Sequence, residues 1–178
     1  DQQVSLCLAQ RAGNRLQLDR IHHRAWQPGG VNLNLSSIAK GFAVDKLARL
    51  LDDACATSYL VEVGGELRAR GVKPSGSPWW VAIEHPPGSA GFPDAVIALC
   101  GQSVATSGGY RHCFVHDGVR YSHTIDPRTG APVRDGLASV SVVAEECALA
   151  DAYSTALLVL GEDDGLAFAE KQNLAVFF

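Results

Sequence analysis

The chain has 178 residues, of which 47% are hydrophobic and 19% are charged, an ordinary composition for one globular domain with a sizeable core. Its formal net charge is −4 and it has no lysine- or arginine-rich block, so a nucleic-acid-binding surface is not expected. The longest apolar runs are too short to span a bilayer.

The five cysteines include no C-x-x-C pair, so they indicate neither a disulfide framework nor a zinc pattern. We expect most of them to be small buried hydrophobic residues, and one disulfide among them is left open. His112, Cys113 and His116 lie close in sequence. Neighbouring residues of a strand point to opposite sides and a fourth ligand is not evident, so zinc is not expected there.

In the first half of the chain the pattern predicts short strands around one long helix. The stretch "LNLSSIAKGFAVDKLARLLDDA" predicts a strand and then a helix capped by Ser36 or Ser37, because its apolar residues recur at helical spacing. "SYLVEVGGELRARG" predicts a strand broken at Gly64-Gly65. Further strands are predicted over 4–9, 15–21 and 79–85, with the rest of 71–93 as loops inside the domain.

The second half predicts hairpins followed by two helices. "DAVIALCG" and "SVATSGG" predict a strand pair, and "HCFVHDGVRYSHTI" predicts a hairpin turning at Asp117-Gly118. "LASVSVVAE" predicts a strand and "CALADAYSTALLVLG" a helix that ends at Gly161. A last helix is predicted over 162–173 and a last strand over 174–178.

Strands that come in hairpins and are interrupted by a few helices favour an α+β fold with a largely antiparallel sheet. A Rossmann fold is not favoured, because no G-x-G-x-x-G joins a strand to a helix. We expect residues 1–178 to form a single domain.

Asp151 and Thr155 lie four residues apart in the last long helical stretch, so they share one helix face. A carboxylate and a hydroxyl placed in this way can hold a hard cation such as Mg²⁺ and leave coordination positions for phosphate. The alternative is a helix aspartate and a buried threonine without a ligand.

Lys40 stands in the predicted first turn of a helix, where the macrodipole disfavours a cation. A helix start with serines and a lysine suits an anion such as phosphate, and Gly41 would permit a close approach. The alternative is an exposed lysine. The glycines of "VEVGGELRARG" and "VATSGGYR" form either turns or the lining of a pocket.

His123 lies in "RYSHTIDPRTGAPV", a predicted strand that ends at the turn Asp126-Pro127. Strand alternation places His123 on one face with Tyr121 and Ile125, an apolar and partly buried setting. A histidine there is either a core residue or a general base at the rim of a pocket.

Five stretches, taken together and in order, resemble the ApbE family of FAD:protein FMN transferases, formerly called thiamine-biosynthesis lipoproteins. They are "IAKGFAVD", "VEVGGELRARG", "VATSGGYR", "RYSHTIDPRTGAPV" and "ADAYSTALLVLG", and they extend over residues from about 31 to 170. The resemblance implies an ApbE-like, T-fold-like domain. It also implies an enzyme that binds FAD and Mg²⁺, splits the pyrophosphate and attaches FMN through a phosphoester to a threonine or serine of an acceptor protein.

By motif, the resemblance implies that Asp151, Thr155 and the backbone carbonyl of Ala39 bind the metal and that His123 activates the acceptor hydroxyl. The resemblance also implies that Gly64, Gly65, Glu66, Thr106, Ser107 and Gly108 bind the cofactor, and we expect Lys40, at the start of its helix, to bind it as well. The chain departs from the family pattern at Asn34, Ser36, Ser37, Glu66 and Gly109.

We expect these residues to lack an N-terminal part that family members carry, which would complete the sheet. The resemblance further implies a bacterial periplasmic or cell-envelope location, with membrane association through an N-terminal anchor. Two other functions fit the same residues. One is a non-catalytic flavin-binding module, and the other is a pyrophosphatase that hydrolyses FAD to FMN and AMP.

Overall fold

A computed structural model describes residues 16–86, 94–110, 113–134 and 137–178. The predicted strand over 4–9 lies outside these ranges, as do Cys7 and His112. The helices are α1 (Ser36–Asp53), α2 (Cys147–Leu160) and α3 (Glu162–Lys171). The strands are β1 (Gln17–Asp19), β2 (Arg24–Trp26), β3 (Tyr59–Val63), β4 (Glu66–Arg70), β5 (Trp79–Ala82), β6 (Val96–Leu99), β7 (Ser103–Gly108), β8 (Cys113–His116), β9 (Val119–Ile125), β10 (Pro132–Arg134), β11 (Ser139–Ala144) and β12 (Ala175–Phe177).

A five-stranded antiparallel sheet in the order β12-β11-β7-β4-β3 forms the centre of the fold. The predicted α+β class with a largely antiparallel sheet is therefore confirmed. Strands β8, β9 and β10 form a separate three-stranded sheet, and the pairs β5-β6 and β1-β2 form two further hairpins.

The central sheet is covered on both faces, because successive residues of its strands point to opposite sides. Ala105 of β7 and Val142 of β11 are paired and pack with Ala150 and Leu157 of α2. Val104, on the other face of β7, packs with Leu99 of β6. The core thus has two parts, one under the helices and one under the β5-β6 hairpin.

Helix α1 packs along α2 and also contacts β3 and β4. This brings the start of α1, the β3-β4 turn and the first turns of α2 to one place. None of the helices in the described ranges carries an apolar stretch long enough to cross a membrane.

Some predicted details are wrong. Strands β6 and β7 are not partners, since β6 pairs with β5 and β7 lies between β4 and β11. Neither Ser36 nor Ser37 caps α1; Leu35 holds the N-cap position, and Asn34 Oδ1 accepts from the Ser36 amide at 2.9 Å. Strand β10 was not predicted. The turns at Gly64-Gly65 and Asp117-Gly118 and the helix end at Gly161 are confirmed, and all five residues have positive φ.

Candidate functional site

Asp151 lies on the face of α2 that meets the start of α1. Its side chain is buried, and Oδ2 accepts a hydrogen bond of 2.9 Å from the backbone N–H of Gly41. Thr155 follows one turn later, and its Oγ1 donates to the Asp151 carbonyl at 3.3 Å. The predicted pair therefore does share one helix face, with its carboxylate held by the neighbouring helix.

Hydroxyl groups from β7 and α2 meet beside this pair. Ser107 Oγ lies 2.8 Å from both Ser154 Oγ and Thr155 Oγ1. Thr106 is on the opposite face of β7, where its hydroxyl lies 2.7 Å from Ser141 Oγ. Strand alternation separates Thr106 from Ser107, so the structure brings Ser107 and not Thr106 to Thr155.

Lys40, the fifth residue of α1, meets the β3-β4 turn. Its Nζ lies 2.6 Å from Oε1 of Glu66, and a Cβ added to Gly64 would lie 3.2 Å from Lys40 Cδ and 3.9 Å from Glu66 Oε2. Gly64 has φ +60°, a conformation that glycine adopts at little cost. Lys40, Gly64 and Glu66 therefore form one cluster, while an added Cβ at Gly65 would meet nothing within 4 Å.

Glu66 is a fully buried carboxyl group whose Oε2 has no hydrogen-bond partner among the described residues. Burial raises the pKa of Glu66 above its ordinary value, because desolvation disfavours the charged form. The ion pair with Lys40 opposes this rise, and the charge of Asp151 adds to it. The charge of the Asp151 carboxylate thus acts on the Glu66 carboxyl group.

The buried carboxylates around α1 differ in how their charge is balanced. Asp45 pairs with Arg68 and Glu66 pairs with Lys40. Asp151 accepts from the Gly41 amide but has no cationic side-chain partner among the residues that the structure describes. Because a buried charge is costly unless it is paired, Asp151 is where an added cation would be most strongly stabilised.

The donor chemistry at Asp151 fits a hard cation. A carboxylate, the Thr155 hydroxyl and a backbone carbonyl such as that of Ala39 are oxygen donors of the kind that Mg²⁺ prefers. Within the described ranges, no group of three or more histidine, cysteine, aspartate or glutamate side chains could hold a metal. A metal here would therefore depend on one carboxylate and on neutral oxygen donors.

Cys147 opens α2 beneath these carboxylates and is fully buried. Burial, followed by the charges of Asp45, Glu66 and Asp151, raises the pKa of its thiol to about 12. Although a helix N-terminus usually favours a thiolate, the desolvation of the thiol and the three nearby carboxylates have the larger effect on its pKa. Cys147 is thus a buried packing residue at the contact of the two helices.

His123 is the fifth of the seven residues of β9 and is exposed. The prediction of an apolar, partly buried face is wrong, because Ser122 is the buried residue and Ile125 is 51% exposed. An added Cβ at Gly109 would lie 3.1 Å from Ser122 Oγ, so β9 passes close to the end of β7. His123 therefore directly follows Ser122, which packs beside Gly109 at the end of β7, the strand that carries Ser107.

The turn after His123 is fixed to the helix that carries Asp151. Arg128 makes a two-point ion pair with Asp126 and donates from Nη2 to the carbonyl of Val159 in α2 at 3.2 Å. The Arg128 guanidinium holds the pKa of Asp126 below its usual range. The segment that bears His123 is thereby anchored to α2.

Asp45, Arg68 and Ser154 contribute to the site and were not predicted. Asp45 accepts from the amides of Cys147 and Ala148 at 3.1 and 2.9 Å. These partners are 102 and 103 residues away in sequence. Local spacing gives no signal for such contacts, which only the packing of α1 on α2 creates.

The ApbE family model matches residues 1–178. The chain belongs to the ApbE family. The match is wider than the five motifs, which begin near residue 31, and it includes the segments around them.

Several relatives of known name share this family. A Haemophilus influenzae protein named FAD:protein FMN transferase is 49% identical over 148 residues, covering 83% of this chain and 43% of the relative. A Salmonella typhimurium protein of the same name is 38% identical over 178 residues, covering 98% of this chain and 51% of the relative. The chain thus spans about half the length of these relatives.

Solved structures of the family have the same fold. The apo form of the Pseudomonas stutzeri flavinyl transferase ApbE superposes with a TM-score of 0.87 at 42% identity, over 99% of this chain and 54% of that one. The flavin transferase ApbE of Vibrio cholerae gives a TM-score of 0.86 at 36% identity, over 99% and 55% of the two chains. The ApbE-like fold predicted from the motifs is confirmed.

Proposed function

We propose that this chain carries the active site of a Mg²⁺-dependent FAD:protein FMN transferase, which cleaves FAD and attaches FMN to a threonine or serine of an acceptor protein. Family membership and the names of the relatives support the reaction class. The observation that carries the proposal is the buried Asp151 carboxylate, which lacks a cationic side-chain partner in the described ranges and lies one helical turn before Thr155.

Asp151, Thr155 and the Ala39 carbonyl would hold the metal. When bound, Mg²⁺ would neutralise charge on the FAD pyrophosphate and so stabilise the transition state of phosphoryl transfer. The Gly41 amide orients the Asp151 carboxylate and occupies Oδ2. Oδ1 has no hydrogen-bond donor among the described residues, so it is the oxygen available to a cation.

Lys40 is the residue best placed to bind a phosphate oxygen. An ammonium group has three N–H donors, and the bond to Glu66 Oε1 uses one of them. The side chain is 44% exposed, so the remaining donors can reach a ligand. Glu66 thereby orients Lys40, and Gly64 leaves room beside both side chains.

His123 would act as the general base. Its exposure on β9 makes it accessible to the hydroxyl of an acceptor protein. His123 takes the hydroxyl proton as the oxygen of the threonine or serine attacks the phosphorus of the FMN half. The bond between the two phosphates breaks and AMP leaves, so the products are the phosphoester and AMP.

The test uses the 178-residue chain with FAD, an envelope-protein extract as acceptor, and either Mg²⁺ or EDTA. Flavin fluorescence of denatured protein bands reports transfer, and chromatography reports AMP and free FMN. Mg²⁺-dependent labelling with AMP release would support the proposal. Free FMN and AMP without labelling would instead identify a pyrophosphatase, and FAD binding without AMP would identify a binding module.

Variants separate the assigned roles. Asp151→Ala and His123→Ala should both lose labelling, whereas His116→Ala should keep it, because His116 is an exposed histidine on the neighbouring strand β8. Labelling by the His123→Ala protein at the level of the parent would contradict the assignment of the base. A single domain over residues 1–178 and a periplasmic or cell-envelope location with an N-terminal anchor stay predictions.

A further inference from the structure

Each of the helices α1 and α2 carries a carboxylate that accepts a hydrogen bond from a backbone amide of the other helix. On α1, Gly41 and Asp45 are one turn apart and face the start of α2. On α2, Cys147 and Asp151 are likewise one turn apart and face α1. Asp45 accepts from the Cys147 amide at 3.1 Å, and Asp151 accepts from the Gly41 amide at 2.9 Å. The four residues close a ring in which each helix binds a backbone amide of the other.

The ring leaves little freedom between the helices. A Cβ added to Gly41 would lie 2.3 Å from the Cys147 carbonyl oxygen and 2.8 Å from the Ala148 Cα. The backbones of α1 and α2 are therefore in direct contact between the two carboxylate–amide hydrogen bonds. Asp45 also accepts from the Ala148 amide at 2.9 Å, so it binds two of the amides that α2 leaves without intrahelical partners.

Asp45 differs from Asp151 in having hydrogen-bond donors on both carboxylate oxygens. One of its oxygens accepts from the Cys147 amide and from the Arg68 guanidinium, and the other accepts from the Ala148 amide. Its side chain is only 2% exposed. Asp45 is thus suited to hold α2 and not to bind a ligand itself.

We infer that Asp45 is a positioning residue of the metal site, which fixes the first turn of α2 on α1 so that the Asp151 carboxylate is held at Gly41 with one oxygen free. The inference rests on the proposed metal at Asp151. Without Asp45, the Cys147 and Ala148 amides lose their acceptor and α2 can shift or rotate. A shift at the first turn moves Asp151 and Thr155 together, because both are on the same helix.

The experiment measures binding of Mn²⁺, a probe with the oxygen preference of Mg²⁺, by the loss of its free electron-paramagnetic-resonance signal in the presence of FAD. The proteins are the parent, Asp45→Asn and Asp52→Asn. Asp52 is the matched control, since it is a carboxylate of the same helix that pairs with Arg70 and accepts from Tyr59, away from α2. Urea unfolding of each protein is recorded in parallel.

We expect Asp45→Asn to weaken Mn²⁺ binding by about 10- to 100-fold, the usual effect of losing a residue that orients a metal ligand. Asp52→Asn should leave Mn²⁺ affinity unchanged even where it lowers stability. A purely structural role of Asp45 would reduce the free energy of unfolding and leave the Mn²⁺ affinity of the folded protein equal to that of the parent, and this result would overturn the inference.

If Asp45→Asn does not fold, Asp45→Glu makes the same comparison, because it keeps a carboxylate for Arg68 but moves it by one methylene relative to the Cys147 and Ala148 amides. This variant should also bind Mn²⁺ more weakly than the parent. Parent-like Mn²⁺ affinity in Asp45→Glu would then overturn the inference. Failure of the parent to bind Mn²⁺ would reject the proposed metal itself, which is a separate outcome.

Discussion

The ammonium of Lys40 lies 2.6 Å from Oε1 of Glu66, although the Lys40 side chain is 44% exposed and the Glu66 side chain only 1%. One partner is largely in solvent and the other is inside the protein. The second oxygen of Glu66 has no hydrogen-bond partner within the part of the chain that the structure describes, so the pair satisfies Glu66 only in part. Burial therefore outweighs the ion pair and raises the Glu66 pKa.

Glu66→Gln should change how stability depends on pH. The pKa of Glu66 is raised above its ordinary value of 4.5 in the folded protein, so the folded state binds this proton more tightly than the unfolded state. Its contribution to stability is complete below pH 4.5 and is lost as the pH rises through the folded pKa. Urea unfolding between acidic and neutral pH should show the variant gaining stability relative to the parent as the pH rises.

The matched control for this profile is Glu62→Gln, because Glu62 is an exposed glutamate on the adjoining strand β3. The free energy of unfolding of the Glu62→Gln protein should follow that of the parent across the same pH range. Parallel profiles for the parent and Glu66→Gln would contradict the raised pKa.

Asp151→Asn keeps an oxygen for the Gly41 amide and removes a charge that has no cationic side-chain partner in the described ranges. In EDTA, the variant should be more stable than the parent by about 1 kcal/mol, because a buried unpaired charge costs stability. Mg²⁺ should stabilise the parent by about 2.7 kcal/mol at 100 times the dissociation constant and leave the variant unchanged. Urea unfolding with and without Mg²⁺ measures both effects, and Asp53→Asn, an exposed acid of α1, is the control. Equal stabilisation of Asp151→Asn and the parent by Mg²⁺ would exclude Asp151 as a ligand.

Gly41→Ala should push α1 away from α2, since its new Cβ would lie 2.3 Å from the Cys147 carbonyl oxygen. We expect the free energy of unfolding to fall by about 1–3 kcal/mol, as for other overpacked contacts. Arg49→Ala, at an exposed position of the same helix, should change stability by no more than about 0.5 kcal/mol. Thermal and urea unfolding check both values, and a Gly41→Ala protein as stable as the parent would show that the helices can separate without cost.

The four cysteines in the described ranges should differ sharply in reactivity. Cys55, Cys100 and Cys113 are exposed and Cys147 is buried, with a thiol pKa raised to about 12. At pH 8, iodoacetamide should modify the three exposed residues and leave Cys147 intact until urea unfolds the chain. Peptide mapping by mass spectrometry reads out each position, and rapid labelling of Cys147 in the native protein would contradict its burial.

The parts of this structure that depend on local spacing could be predicted from the sequence. The helices follow from apolar residues at helical intervals, and the Asp151/Thr155 pair follows from a separation of one turn. The glycine turns at Gly64-Gly65 and Asp117-Gly118 follow from the need for positive φ.

The parts that depend on packing could not be predicted in this way. That Glu66 is the side-chain partner of Lys40 depends on how β4 meets α1. The buried side of β9 depends on the close approach of Ser122 to Gly109, and apolar content alone favours the wrong face. Strand alternation predicts that Thr106 and Ser107 point to opposite faces of β7. Which of the two faces the site depends on the side of β7 on which α2 packs.

The bond between Gly41 and Asp151 joins residues that are 110 positions apart, and this distance has a consequence for synthesis on the ribosome. Helix α1 and the β3-β4 hairpin leave the ribosome long before α2 is synthesised. Until then, Asp45 and Glu66 belong to a chain that lacks α2. The start of α1 can meet Asp151 and Thr155 only after residue 155 has left the exit tunnel, and contacts of such long sequence separation form slowly. The candidate site is therefore incomplete in any nascent chain that ends before α2.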